Sequence, residues 1–285
     1  MTTFEFRRFD AALGAEIVGL DLSAPLDDET FAQIRHAFLE SAGLLVFRDQ
    51  HISPEDQIAF SRRFGPLMAH VLREYSLPGH PEILKVSNVI ESGVPIGLGD
   101  AGRYWHSDLS YTQEPSLGSM LYALEIPAEG GDTSFANMTA AYDELPPEIK
   151  ERLRGKAAIH SYSHRYDQLG GSKWRPPLSQ AQRESLPEVA HPIVRTHPET
   201  GRKCLFVNEG FTARIIDLVK SESCALIEVL FWHSVQAHFV YRHAWRRYDL
   251  VFWDNRCTIH MAHGCPPHLR RHMHRTTIKG DIPYE

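Results

Sequence analysis

SMLYALEIP (119–127) is a short apolar run stopped by a proline, and its pattern recurs along the chain. EILKVSNV (82–89), KAAIHSY (156–162), HPIVRTH (191–197), RKCLFVN (202–208), YDLVFWD (248–254) and HRTTIKG (274–280) repeat it, punctuated by Gly, Pro, Asn and Asp. Runs of this length between turn formers read as strands. Many short strands imply a sandwich or a barrel. HPETG (197–201) carries turn chemistry between two of the runs, so 191–208 is expected to fold as a hairpin.

Outward from this region the texture changes. The first third alternates helix and strand. Asp27 and Asp28 can cap a helix with Phe31, Ile34, Ala37 and Phe38 on one face. GLLVFRD (43–49) reads as a strand. Ser53-Pro54-Glu55-Asp56 is a capping box with proline at the first helical position, and FGP (64–66) is the stop. A further helix is expected over 221–238, where Ala225, Leu226, Val229, Leu230 and Val235 recur at helical intervals. LGDAGR (98–103) and DQLGGSKWRPP (167–177) read as mobile loops, and 160–177 is a candidate lid. There is no internal repeat. Residues 1–285 are expected to form a single domain, mostly β with flanking helices.

Composition narrows the function classes. A net charge of -6 without a dense Lys/Arg run argues against nucleic-acid binding, which needs phosphate neutralisation. Small molecules are the expected partners, and homo-oligomerisation is left open. No segment is apolar for long enough to span a bilayer, and the amino terminus lacks the pattern of a secretory signal. A cytoplasmic location is therefore expected. Cys204, Cys224, Cys257 and Cys265 have no CxxC spacing and read as reduced, mostly buried thiols. Histidine is the outlier at 17 residues, with a cluster over 260–274 that suggests a metal.

The chemistry centres on Trp105-His106-Ser107-Asp108 and on the distant segment from Trp253 to His263. In an extended strand, residues i and i+2 face the same way, so His106 and Asp108 would present an imidazole and a carboxylate together. A third ligand from a remote strand would complete a two-histidine, one-carboxylate triad that leaves coordination positions open, unlike a closed structural zinc site. His260 and His263 both qualify as that ligand.

LGAEIVGLDLSAPL, LVFRDQHISPEDQIAFSRRFGP, WHSDLSY, GGDTSFANMTAAYDELP, HPIVRTHPETGRKCLFVNEGFTARI, WDNRCTIHMA and HRTTIKGD together resemble the taurine and 2,4-dichlorophenoxyacetate dioxygenase family, nearly end to end. The resemblance implies a double-stranded β-helix, a jelly-roll variant enclosing a metal. It implies Fe(II) as the metal, held by His106, Asp108 and His260, with 2-oxoglutarate and O2 as co-substrates. Arg271 and Thr133 would hold the distal carboxylate of 2-oxoglutarate, an anion that an arginine fork suits. Arg275 would contact its inner carboxylate and the anionic group of the prime substrate, with His70 beside it. Arg271 and Arg275 are four apart, so both can face inward from one strand.

The implied reaction is hydroxylation of a small organic anion next to its anionic or ether group, coupled to release of succinate and CO2. Fragmentation would follow where the hydroxylated carbon bears a sulfonate or an aryl ether. The chain departs from taurine enzymes at Arg73, where they carry tyrosine, and at Gly102, where they carry asparagine. A larger anion, such as an aryloxyalkanoate, an alkyl sulfate or another sulfonate, is then as plausible as taurine. Trp105, Tyr111, Tyr162 and Trp174 are candidates for an aromatic pocket, with core packing as the alternative. A zinc hydrolase and a non-catalytic jelly-roll anion-binding protein are the competing readings.

Overall fold

The computed structural model describes residues 4–69, 73–99, 101–169 and 178–285. Its architecture follows from strand alternation. In Gly118–Glu125, Leu121 and Ala123 sit beside Val251, Met273 and Arg275 of the neighbouring strands. Leu121, Ala123, Val251, Trp253 and Met273 form one buried cluster with Leu84, Val86 and Phe135. The intervening Met120 and Tyr122 join Leu250 and Phe252 in a second cluster with Ile34, Phe38 and Phe60. A strand has only two faces, and here both are apolar. One is covered by helices and the other by a second sheet.

The large sheet has the order Glu5–Arg8, Ala15–Val18, Leu44–Phe47, Leu250–Asp254, Gly118–Glu125, His272–Ile278, His80–Ser87, Ser76–Leu77. Across from it lies a three-stranded sheet of Val240–His243, Thr133–Asn137 and Thr258–Ala262. Among the described residues all strand pairings are antiparallel except that of Ala15–Val18 with Leu44–Phe47. This is the expected jelly roll, mostly β with flanking helices. In the smaller sheet Phe135 faces His260 and belongs to the inner cluster, whereas their neighbours Ala136 and Ile259 pack outward. That parity puts Thr133, Phe135 and His260 on the inner face.

The helices follow their caps. Asp28–Glu40 starts where the Asp27 carboxylate accepts from the Thr30 amide, and it buries Thr30, Ile34, Ala37 and Phe38. Phe31, counted on that face, is only partly buried and packs its ring edge-on against Phe64. Pro54–Arg62 carries the full Ser53/Asp56 capping box and ends just before FGP. The third helix is shorter than expected: Lys220–Ser234 gives way to a 3-10 turn at Ala237–Phe239. Its buried side is Ser223, Leu226, Leu230, Phe231 and Ser234, so Val229 and Ala225 face solvent. A helix whose apolar residues are spread round its circumference does not reveal its inner face by periodicity.

The hairpin forms as expected, with Val194–Thr196 paired to Lys203–Leu205. Among the described residues, 98–103 carry no helix or strand, as a loop should, whereas the second loop expectation is corrected over 167–169. Leu98 is stitched to the neighbouring strand through Lys85 and Ser87, and Tyr162–Leu169 is a helix. Residues 170–177, with Trp174, lie outside the described residues. His160 is fully buried at the end of Ala157–His160, which removes it from any lid. All four cysteines are free, but Cys224 is exposed and Cys265 only partly buried. Among the described residues no helix is long and apolar enough to cross a membrane.

Candidate active site

His106 and His260 lie opposite one another and exchange both backbone hydrogen bonds, at 3.0 and 2.8 Å. The expected strand over 106–108 does not extend that far. His106 makes a single antiparallel bridge, and from Asp108 the chain turns, with Leu109 at φ 59°. Asn255 explains the turn. Its Oδ1 accepts from the Asp108 amide at 3.1 Å and its carbonyl accepts from Ser107 Oγ at 2.8 Å, so side-chain contacts replace the ladder. Asn255 is itself held by Trp253 Nε1 and Ser116 Oγ. Asp254, buried and paired with Arg256 and His197, anchors the turn that carries it.

The three side chains meet inside the barrel. Asp108 Oδ1 lies 3.7 Å from His106 Nε2, and its Oδ2 lies 3.8 Å from His260 Nε2. All three residues are buried. His106 Nδ1 donates to the Tyr104 carbonyl at 2.9 Å, which leaves the Nε2 lone pair facing Asp108. Burial pushes both imidazoles below their ordinary range, so they are neutral and need lose no proton to ligate. Burial alone would raise the Asp108 carboxyl. Arg275, His260, His106 and the Ser119 hydroxyl outweigh it and hold the group well below the usual carboxylate range. Ser119 Oγ donates at 2.7 Å and Arg275 Nη1 at 3.1 Å. Two neutral nitrogens and one anionic oxygen on one side of a cavity suit a divalent first-row metal with open positions. His263, the rival ligand, meets Ser134 Oγ at 2.7 Å instead.

The cavity beside the triad is lined by Thr133, Arg271 and Arg275 together with His106, Trp253 and His260. Arg271 is buried, and its Nε has no acceptor among the described residues. Thr133 Oγ1 accepts from Trp245 Nε1 at 3.0 Å. Past His106 lies an aromatic wall. Tyr104, Tyr111 and Phe211 stand within 6.1 Å of one another or of His106 by ring centroid, and Tyr162 packs on Tyr111 at 4.8 Å. Trp105 belongs to the outer core and is no part of this wall.

Residues 5–277 match the family described as "Taurine catabolism dioxygenase TauD, TfdA family". The chain belongs to this TauD/TfdA family. An α-ketoglutarate-dependent 2,4-dichlorophenoxyacetate dioxygenase of Cupriavidus pinatubonensis is 36% identical over 278 residues, covering 94% of either chain. An alkylsulfatase of Acinetobacter baylyi is 31% identical, over 99% of this chain and 89% of that one. The crystal structure of AAD-2 with Mn(II) and N-oxalylglycine superimposes with a TM-score of 0.84 at 31% identity, over 99% of each chain. As a TauD/TfdA member the protein is a 2-oxoglutarate-dependent dioxygenase, an oxidoreductase that uses Fe(II), 2-oxoglutarate and O2. Neither the zinc hydrolase nor the binding protein fits that membership.

Two positions expected to depart from the taurine pattern, Arg73 and Gly102, fall among the described residues. Arg73 is exposed at the start of a 3-10 turn. Gly102 is tied to the strand Thr258–Ala262 by Ala262 N donating to its carbonyl at 2.8 Å, and it has φ +68°. A Cβ there would come within 2.7 Å of His106 Cε1. Gly102→Ala should therefore cost about 1 kcal/mol of stability from backbone strain alone. It should also weaken Mn(II) binding by about tenfold through the displaced imidazole. Thermal unfolding and metal titration read the two effects separately, and unchanged metal affinity would show that the ring has room. His70 lies outside the described residues.

A second group, His197, Asp254 and Cys257, also has metal-like spacing. Its donors are already used. His197 Nδ1 accepts from the Glu199 and Thr200 amides, Asp254 serves Arg256 and His197, and burial pushes the Cys257 thiol well up. It is a structural clamp. Sequence reading had missed Ser119, Asn255 and Trp245 as supports of the site. Strand parity within SMLYALEIP places Ser119 on the same face as Leu121, and that was the available signal for one of them.

Proposed function

We propose that His106, Asp108 and His260 hold Fe(II), that Thr133 and Arg271 receive the distal carboxylate of 2-oxoglutarate, and that Arg275 serves its inner carboxylate and the anionic group of the prime substrate. The observation that carries this reading is Arg271: a buried guanidinium without a carboxylate partner among the described residues, lining the same cavity as the triad. An unpaired buried cation is costly, and a dicarboxylate co-substrate relieves it. His70 is proposed beside the substrate anion on the family resemblance alone.

When bound, Fe(II) with 2-oxoglutarate and O2 supplies the oxidation, placing one oxygen atom in succinate and the other in a C–H bond of the substrate. The chain contributes placement. Arg275 reaches the Asp108 carboxylate, so its other nitrogens would hold an anion beside the residues that would carry the metal. Ser119 and Asn255 keep Asp108 from rotating away. Tyr104, Tyr111, Tyr162 and Phe211 pack on one another beside His106 and back its imidazole.

Among the expected anions an aryloxyalkanoate is the favoured class. The relative named as a 2,4-dichlorophenoxyacetate dioxygenase supports the same class, while the alkylsulfatase keeps alkyl sulfates in the panel. The reading takes residues 1–285 as one domain, cytoplasmic, free to form homo-oligomers and without nucleic-acid or membrane partners. Its test is succinate formation by the purified protein with Fe(II), 2-oxoglutarate and oxygen against aryloxyalkanoates, alkyl sulfates and sulfonates. Aryloxyalkanoates should stimulate succinate release most, by at least about tenfold over the uncoupled background. Stimulation by taurine alone would overturn the substrate assignment.

A further inference from the structure

Trp245 follows the edge strand Val240–His243, whose last residue His243 is the register partner of Thr133. It is buried and donates its indole N–H to Thr133 Oγ1 at 3.0 Å. An indole N–H can only donate, so at this contact the threonine hydroxyl can only accept. Its single hydrogen is then left for another partner. Thr133 lines the cavity with Arg271, and a carboxylate is a group that accepts from both.

We propose that Trp245 is a positioning residue for 2-oxoglutarate: it sets the polarity of the Thr133 hydroxyl so that this group meets the distal carboxylate as a donor. The inference rests on the assignment of Thr133 and Arg271 to that carboxylate. Trp245 is in turn fixed from behind. Its ring packs edge-on against His243 at 4.7 Å. His243 Nε2 donates to Asp249 Oδ2 at 3.1 Å, and its Nδ1 accepts from the Tyr241 hydroxyl at 3.2 Å. The same Asp249 oxygen accepts from the Arg246 amide at 2.7 Å and from Arg48. This buried carboxylate therefore holds the 246–249 turn and the imidazole together, and the indole between them has little freedom. A hydroxyl whose direction is set before the anion arrives loses less freedom on binding.

The test is a double-mutant cycle read by calorimetric binding of 2-oxoglutarate to the Mn(II)-loaded full chain. Trp245→Phe keeps an aromatic ring and removes the N–H, and it should weaken 2-oxoglutarate about threefold to tenfold. In steady state the loss should fall on KM for 2-oxoglutarate rather than on kcat. Thr133→Val should weaken binding by as much or more, and adding Trp245→Phe to it should change nothing further. Thr133→Ser, which keeps the hydroxyl, should bind nearly as the parent does. Equal losses from Trp245→Phe with and without the Thr133 hydroxyl would reduce Trp245 to packing and overturn the proposal. Should Trp245→Phe not fold, the parent protein loaded with Zn(II) gives a second readout. The Trp245 indole N–H resonance should move when 2-oxoglutarate is added, and a resonance that stays in place overturns the proposal. Failure of the underlying assignment looks different: Thr133→Val and Arg271→Met would then both leave 2-oxoglutarate affinity untouched.

Discussion

Asp108→Ala is expected to lower Mn(II) and Fe(II) affinity by at least about a hundredfold and to abolish substrate-dependent succinate formation. The variant removes the only anionic donor of the triad and leaves two neutral imidazoles, which bind divalent metal weakly without the charge. A second consequence separates this substitution from a simple ligand loss. Arg275 Nη1 and Ser119 Oγ both donate to the carboxylate, so its removal leaves a guanidinium with 13% of its side chain exposed facing two imidazoles. The fold should lose roughly 2 kcal/mol, less than a fully buried pair would because Arg275 opens onto the cavity. Asp108→Asn retains the shape and should lose metal to a similar extent with a smaller effect on unfolding. Metal titration and thermal melts of both variants check this, and retained substrate-dependent succinate in Asp108→Ala would sink the metal assignment.

Arg271→Met should have the opposite sign on stability and an equally large effect on binding. Burial drives the Arg271 guanidinium down to about 10, with Cys265 and Arg103 as minor influences. For a base, a folded-state pKa below the unfolded one means that the cation opposes folding. Both states are charged at neutral pH, so the penalty is fully present there and is relieved only as pH rises above about 10. Its size is of order 3 kcal/mol. Methionine fills similar volume without charge, and the apo protein should melt higher, by several degrees. At the same time 2-oxoglutarate should bind about a hundredfold more weakly or worse, because a charge-assisted fork to its distal carboxylate is gone. Calorimetry on the Mn(II)-loaded variant and a melt of the metal-free variant read the two effects. A lower melting temperature with unchanged 2-oxoglutarate affinity would mean that Arg271 is structural.

Strand identity and fold class were legible because apolar runs such as YDLVFWD and SMLYALEIP need two apolar faces, and a chain with many such runs must stack sheets. Caps were equally local: the Asp27 and Ser53 hydrogen bonds involve residues three apart, and the letters alone specify them. The outer face of Lys220–Ser234 was not legible. Its apolar residues are spread round the helix, and only its neighbours decide which of them are covered.

For the site, the sequence by itself offered His106 and Asp108 as paired donors with His260 or His263 as the third, and the roles expected of Arg271, Arg275 and Thr133 came only through the family resemblance. That resemblance also singled out His260. Tertiary structure alone decided how these groups meet. His106 and Asp108 converge because Asn255, 147 residues from Asp108, substitutes for the strand ladder that i, i+2 spacing presupposed. His260 rather than His263 faces them because the pairing of Thr133–Asn137 with Thr258–Ala262 turns that residue inward beside Phe135. Trp245 reaches Thr133 across 112 residues of chain. Contacts of that separation depend on the register between strands, which a single sequence does not display, whereas caps, turns and alternation depend on neighbours a few residues apart and are written directly in it.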